Sequence, residues 1–599
     1  METFGRPGTW RVVLGAMVVL LGGACGTVAP SKPVADFPSP EALARISAKP
    51  TESRPQVDTG PIPAEGWTVN LAAAGSSAGA PWSASSNLDR ALLAAVAQAG
   101  RQIRFTQSLS CAAGEMGRYL LSTGRLPPDT LRAFMIGACG GYAPGLVVVF
   151  LQNDVPADVP EQAVLASFRS SIRPSLVDKV PADAGDAGFS FVRGDARAAA
   201  VLVYAQDLAQ IDDFSSIPDE EGRVTVSGQI NSGVQYLGGY INHGRFGVAA
   251  CFIDPTVTKP RFRISCQVAP EDEMARIDLL FAPPRRALAS PFAQILARKK
   301  EVQALTYRPE PYAEPHPVNK AEDFAPFVVQ ALNRVRSEAG LGPVRLAAAQ
   351  SDLAASLALH YFAAWAGQGS PEDMDTIALG LLAGRQVTSG MIRSGSFASA
   401  VVTETRDAGQ WLTSTLAMPI GRSALLASGI EEIALGPVTL SDPDLLGAVV
   451  VGYQFHHGND HTRDVKTLTM RTVLTRRQRK LSAPLRLGLE QVMNEELAKV
   501  HAGKQTPMQA LDAVMYEGSL KFSAGMRGYV VEAASLDELE IPGEILAQPN
   551  LHLEIGVTHH RPPGAAWGQF VILVVFIDYG QLQTAMVDPH HALPWRDRL

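Results

Sequence analysis

Four polar residues stand close together near the middle of the chain: His456, His457, Asp460 and His461. Imidazole nitrogens and a carboxylate are the donors that a borderline divalent metal prefers. Their setting works against such a site. Gly458-Asn459 marks a loop, and successive residues of a continuing strand point to opposite faces. His456, His457 and His461 are therefore weak metal candidates, and no metal or other cofactor is expected. His559-His560 and His590-His591 lie among Pro and Gly or near the C-terminus and read as exposed turns or tail. His360 falls on the apolar side of a helical pattern, where a core or rim histidine with one hydrogen bond is the plainer reading. Glu404 and Asp407 lie three apart at a helix start, where capping and the helix dipole explain them better than acid–base catalysis. Serine chemistry has no support either. The sequence holds no Ser-x-x-Lys or phosphate-binding glycine loop. Gly390–Ser396 is rich in small residues, but no matched His and Asp follow.

The elements that would position these residues follow from periodicity. Val328, Leu332, Val335 and Ala339 share one face of a helix, Val328–Ala339, which Gly340 ends and Gly342-Pro343 turns. Leu353, Leu357, His360/Tyr361 and Ala364 line a second, Ser351–Ala366. A tryptophan helix around Trp411–Ser414 and strands Ile430–Val438 and Leu446–Phe455 complete this stretch. Upstream, helices are predicted at Leu109–Ser122, Pro128–Ile136 and Glu161–Ile172, with strands at Leu146–Gln152, Ala187–Val192 and Ala198–Ala205. Five short strands between Val224 and Phe281 predict a small sandwich or barrel. Downstream, helices Pro484–Val500, Pro507–Tyr516 and Ser535–Ala547 accompany strands Gly528–Glu532, Leu551–Val557 and Gln569–Asp578. This last segment repeats the order strand, helix, Gly-centred hairpin seen before it, and Val164–Ala205 shows a fainter version. A degenerate structural repeat is one reading; the re-use of a common α/β order is the other.

At 599 residues the chain exceeds one core. With 46% hydrophobic and 19% charged residues it can bury several. A net charge of −7 and only short basic groups argue against nucleic acid. Arg6 and Arg11 precede the apolar run Val12–Leu21, which is short for a membrane span. Gly22-Gly23-Ala24 then lead into Cys25. This resembles a bacterial lipoprotein signal, which implies lipidation at Cys25 and export to the cell envelope, with Gly26 favouring the outer membrane. Four cysteines remain, and an even number in an exported protein suggests two disulfides with three connectivities open. Nearest neighbours give Cys111–Cys139 and Cys251–Cys266; reduced, buried cysteines are the alternative.

The wording Leu332-Asn333-Arg334-Val335-Arg336, Gly340-Leu341 and Pro343-Val344-Arg345-Leu346, with Trp411-Leu412-Thr413-Ser414 and Gly421-Arg422-Ser423-Ala424-Leu425-Leu426, resembles the CAP superfamily. That superfamily covers cysteine-rich secretory, antigen-5 and pathogenesis-related proteins, here in its bacterial SCP-like branch. The resemblance covers about 325–456 and implies an α-β-α sandwich. The family's groove of two His and two Glu does not carry over. Gly367-Gln368-Gly369-Ser370-Pro371 stands where His-Ser would be, and no Gly-Glu-Asn lies between Asp373 and Glu404. Ser414 follows Trp411 by three, as in bacterial members, and Gly421-Arg422 lacks the family histidine. What the resemblance leaves as a ligand groove is His360, Trp365, Trp411, Ser414 and Arg422, with core packing the other reading of both tryptophans.

The expected architecture is α+β multidomain. It has a signal peptide at 1–24, a disordered tether at 25–87, an N-terminal α/β domain at 88–215 and a β-rich module at 216–300. A Pro-rich linker at 301–323, a degenerate CAP-like sandwich at 324–475 and a C-terminal α/β module at 480–599 follow. The expected function is a non-catalytic envelope lipoprotein that binds a lipid, a sterol or an envelope protein and is held to the membrane by its N-terminal lipid. An envelope hydrolase and a structural surface-assembly protein are the alternatives.

Overall fold

A computed structural model describes residues 37–50, 59–71, 80–100, 102–142, 147–156, 158–180, 184–206, 208–234, 236–282, 289–366, 368–402, 406–440, 446–456, 487–522, 526–533, 552–562 and 565–577. The chain is a mixed α+β multidomain protein with two compact units. The first takes in 37–387 and 395–453; the second takes in 388–394 and the described residues from 454 onward. The signal segment, Cys25, His457, His461 and the helix expected at Ser535–Ala547 lie outside the described residues. Among the described residues no helix is long and apolar enough to cross a membrane.

The first unit opens with α1 (Pro40–Ser47) and β1 (Trp67–Asn70) inside the stretch expected to be a disordered tether. The composition there hid two local signals. Ser39 caps α1 and Pro40 occupies its first turn, which needs no proline N–H, while Leu43 and Ile46 are buried. Next come α2 (Asn87–Gln98), β2 (Arg104–Phe105), α3 (Gln107–Thr123), α4 (Asp129–Ala138), β3 (Val147–Asp154), α5 (Glu161–Arg169), α6 (Ile172–Ser175), β4 (Ala184–Arg193) and β5 (Arg197–Gln206). The sheet runs β2-β4-β5-β3, with β2 parallel to β4 and the other pairs antiparallel. Along β5, Ala199, Val201 and Val203 join the core with α3 and α4. The alternate residues Ala198, Ala200 and Leu202 join the core with α2, α5 and α6. A period of two thus feeds two helical layers and makes a three-layer sandwich.

Eight strands follow: β6 (Ala209–Ile211), β7 (Arg223–Ile230), β8 (Tyr236–His243), β9 (Gly247–Ala250), β10 (Phe252–Ile253), β11 (Arg261–Gln267), β12 (Met274–Ala282) and β13 (Ser290–Arg298). They form two four-stranded sheets, β10-β11-β7-β6 and β13-β12-β8-β9, sharing one core. The expected sandwich is therefore larger than its five predicted strands. β13 was hidden because Pro291 and a run of small residues mask its alternation. Cys251 bonds Cys266 on the neighbouring strand, and Cys111 bonds Cys139, with Cα–Cα distances of 4.4 and 5.7 Å. The expected linker at 301–323 is instead structured. β14 (Ala304–Tyr307) pairs antiparallel with β1, and Tyr312 and Ala313 after it pack against the core of the next domain.

That domain comprises α7 (Ala321–Glu338), β15 (Arg345–Leu346), α8 (Ala348–Trp365), α9 (Pro371–Leu382), β16 (Ile392–Val402), α10 (Ala408–Leu416), α11 (Pro419–Leu426), β17 (Glu432–Thr439) and β18 (Leu446–Phe455). α7 starts seven residues before the predicted Val328, carrying Pro326 inside it and burying Phe324. α9, absent from the sequence reading, is set by Ser370 as N-cap and Pro371 in its first turn. The sheet order is β15-β17-β18-β16, with β15 parallel to β17. Ile433, Leu435, Ala448 and Val450 face α7, α10 and α11. Gly436 and Gly447 face α8, against Ala354 and Phe362.

The second unit holds α12 (Glu490–His501), α13 (Pro507–Phe522), β19 (Met526–Ala533), β20 (Leu553–His560) and β21 (Gln569–Ile577). α12 begins six residues after the predicted Pro484, because Gly488 adopts a positive φ of 68° just before it. Its sheet runs β19-β21-β20, with Val571, Leu573 and Val575 against α12 and α13.

One topology recurs. Apart from α5-α6 and α10-α11, which precede the hairpins of the first two, α3-α4-β3-β4-β5, α8-α9-β16-β17-β18 and α12-α13-β19-β20-β21 each read two helices, strand, then hairpin. Each places the last strand between the other two. Gly188, Gly436 and Gly556 each lie in the first strand of the hairpin, opposite Val203, Val449 and Leu573 of the second.

Candidate functional site

α10 is the element on which the site is built. Asp407 caps it, its Oδ1 accepting from the Gln410 N–H at 2.8 Å. The inner face carries Trp411, Leu412 and Leu416, all fully buried. Trp411 Nε1 donates to the Ala400 carbonyl at 3.2 Å, and the ring meets Phe324 edge-on at 5.2 Å. Trp411 is thus a core residue and not a groove liner. Helical spacing then turns Gln410, Thr413 and Ser414 to the opposite side.

The segment 308–317 crosses that side. Tyr312 N donates to Thr413 Oγ1 at 3.1 Å, and Ala408 N to the His316 carbonyl at 3.0 Å. Gly409 permits the approach, since a Cβ there would lie 2.3 Å from the Glu314 carbonyl oxygen. Between segment and helix lies a cavity of about 310 Å³. Ile62, Pro63, Pro128, Pro309, Pro311, Pro315 and Val401 form its apolar walls. Proline has no N–H, so these walls offer almost no donors. Arg308, Gln410 and Ser414 supply the polar part, and their side chains make no hydrogen bond among the described residues. The cavity's carboxylate, Asp129, is already held by Arg132.

A second cavity of about 270 Å³ shares Arg308 and Pro309 with the first. Arg422 lies at its base, buried, and burial makes its guanidinium easier to deprotonate than usual. It donates to the carbonyls of Leu416 (2.8 Å), Gly244 (2.8 Å) and Gly247 (3.0 Å), and to Tyr312 Oη (2.9 Å). Burial also raises the Tyr312 phenol. Arg276 donates to the Thr130 carbonyl at 3.2 Å and lies 4.9 Å from the Tyr307 ring centre.

Of the five residues predicted to line a groove, Ser414 lines the first cavity and Arg422 the second. His360 and Trp365 are half-buried on α8 and line neither cavity; Trp365 packs edge-on against Phe362. Sequence reasoning missed Arg308, Gln410 and Arg276. Gln410 stands four residues before Ser414, so helical spacing from the tryptophan could have found it. Arg308 heads the proline run. Arg276 carried no signal, because nothing local ties β12 to the cavity.

Of the weak metal candidates only His456 lies among the described residues. His456 is buried, its Nε2 3.3 Å from the Gly568 carbonyl and its ring 4.3 Å from that of His559. Among the described residues no three His, Cys, Asp or Glu side chains form a group able to hold a metal.

No protein-family model matches the chain. No curated protein sequence matches it either. Among solved structures, a cysteine-rich secretory protein from Staphylococcus aureus is similar at 12% identity, with 40% of this chain and 83% of that chain covered and a TM-score of 0.18. An extracellular protein containing an SCP domain from Bacillus anthracis is similar at 10% identity, covering 42% and 89%, with a TM-score of 0.17.

Proposed function

We propose that this protein is a non-catalytic binding module of the cell envelope, with a CAP-like domain at 324–475 and an N-terminal lipid on Cys25. The observation that carries the binding role is the cavity beside α10. An apolar wall of prolines faces three uncommitted polar side chains, Arg308, Gln410 and Ser414. Apolar walls with a few convergent polar groups are the pattern of a ligand pocket. Among the described residues no histidine lines this cavity, and its carboxylate, Asp129, is engaged by Arg132, so the arrangement favours hydrogen bonding over activation of a nucleophile.

Native mass spectrometry of the protein purified from an oxidising compartment tests this reading. A copurifying mass of small-molecule size that is lost in Ser414→Trp, where the indole fills the cavity, supports it. Retention of that mass by the filled variant overturns it. Growth with a radiolabelled fatty acid checks the anchor: label retained by the parent and absent from Cys25→Ala is the expected result.

A further inference from the structure

Arg308 and Pro309 belong to the walls of both cavities, so the apolar cleft and the arginine-lined cleft meet there. The second cleft has an excess of positive charge, with Arg245, Arg276, Arg308 and Arg422 against Asp272 and Glu310. Its acids are largely committed. Glu310 pairs with Arg245 at 3.0 Å, and Asp272 accepts from the Gly244 N–H at 3.0 Å. Arg276 lies close enough to Arg422 to disfavour the charge on Arg422. Both are held by carbonyls, a sulfur or a phenol, and among the described residues neither is in a salt bridge with a carboxylate. Half-buried cations without a paired anion are costly, and a guanidinium is shaped for a planar or tetrahedral oxyanion.

We propose that the two clefts form one site for an anionic amphiphile, its oxyanion between Arg276 and Arg308 and its apolar portion along the proline wall beside Ser414. The proposal rests on the binding role assigned to the first cavity and adds the chemistry of the ligand. Each cavity taken alone lies at or just below the ~300 Å³ lower bound of small-molecule pockets; joined at Arg308 they accommodate a head and a chain.

Titration calorimetry on the full chain tests it, with dodecyl phosphate, dodecyl maltoside and inorganic phosphate as probes, each amphiphile below its micelle concentration. Dodecyl phosphate is expected to bind about tenfold more tightly than either other probe. Arg308→Gln, at an exposed position without a partner among the described residues, is expected to remove about that factor for dodecyl phosphate and to weaken dodecyl maltoside far less. Circular dichroism and intact mass confirm that the variant folds. Equal binding of both amphiphiles, insensitive to Arg308→Gln, overturns the anionic assignment and leaves the binding role standing. Inorganic phosphate binding as tightly as its dodecyl ester overturns the joined site. Failure of all three probes removes both readings.

Discussion

Arg336 of α7 donates from Nη1 to the carbonyl oxygen of Leu425, 2.7 Å away at the C-terminal end of α11. The same guanidinium reaches the carbonyls of Gly342 (2.7 Å), Ala427 (3.2 Å) and Ile430 (3.1 Å), and it is fully buried. Helix ends leave carbonyls without partners, and this one side chain satisfies those that precede β17. Arg336→Met keeps the volume and orphans these acceptors. The expected loss is about 3 kcal/mol, read as a lower urea midpoint. Arg336→Lys should recover only part of it, because a compact ammonium cannot span the fan of carbonyls. A Met variant as stable as the parent would refute this account.

The three hairpin glycines give a graded prediction. A Cβ at Gly188 would lie 1.9 Å from the Leu109 carbonyl carbon, and one at Gly436 2.4 Å from that of Ala354. Both obstacles are helix backbone, which cannot move without the whole helix. At Gly556 the obstacle is the Met493 side chain, also at 2.4 Å, and methionine has rotamers to spare. Gly188→Ala and Gly436→Ala should each cost about 3 kcal/mol, and Gly556→Ala about 1 kcal/mol. Chemical denaturation of the three variants separates these values, and a uniform cost would show that the close approach is not what selects glycine.

How much of this was legible depended on whether a signal was local. The strands β5, β17, β18 and β21 were read to within two residues, because their apolar runs and flanking glycines are contiguous in sequence. The disulfides were legible for the same reason, each linking nearest neighbours. α1, α9 and β13 were not. α1 sits in a Pro- and Ala-rich stretch whose average composition masks one capped turn, and Pro291 and small residues hide the alternation of β13. Trp411 was ambiguous from sequence, since a tryptophan on an amphipathic helix can face core or groove. Only its contact with Phe324 and Ala400 decides. The site itself was least legible. It joins residues 62–64, 128–130, 308–315 and 410–414, which no spacing rule connects.

Asp278 of β12 makes stability depend on pH. Burial raises its carboxyl from 3.8 to about 6, opposed in part by the Gln294 amide that donates to Oδ1 at 3.2 Å. Unfolded, the group titrates near 3.9, so about two units separate the states. Between about pH 4 and pH 6 the folded protein holds a proton that the unfolded chain has released, so stability falls as pH rises through this window. Above it the loss is complete, at about 3 kcal/mol. Asp278→Asn removes the dependence. It should be more stable than the parent at about pH 7.5, and the difference should shrink towards about pH 4. Urea midpoints across that range check this, and parallel curves for the two proteins would contradict the assignment.

Each disulfide closes a modest loop, with separations of 28 residues for Cys111–Cys139 and 15 for Cys251–Cys266. Replacing either pair by Ser is expected to cost about 3 kcal/mol through the freer unfolded chain. Intact mass before and after denaturing reduction should differ by about four hydrogens. An unchanged mass would mean that the thiols are free.

Trp411 and Ser414 lie three residues apart on α10 and serve different ends, so their substitution should separate stability from binding. Trp411→Ala removes a fully buried ring packed on Phe324. It should cost about 3–5 kcal/mol, because the core around it cannot collapse to fill the space. Ser414→Ala removes a hydroxyl that makes no hydrogen bond among the described residues and should leave stability within about 0.5 kcal/mol. Its effect belongs to the ligand: affinity for the bound amphiphile should fall severalfold if the hydroxyl donates to it. Thermal unfolding and titration of the same two variants read both quantities. A destabilised Ser414→Ala with unchanged affinity would make the serine a packing residue and move the ligand's polar contacts to Gln410 and Arg308.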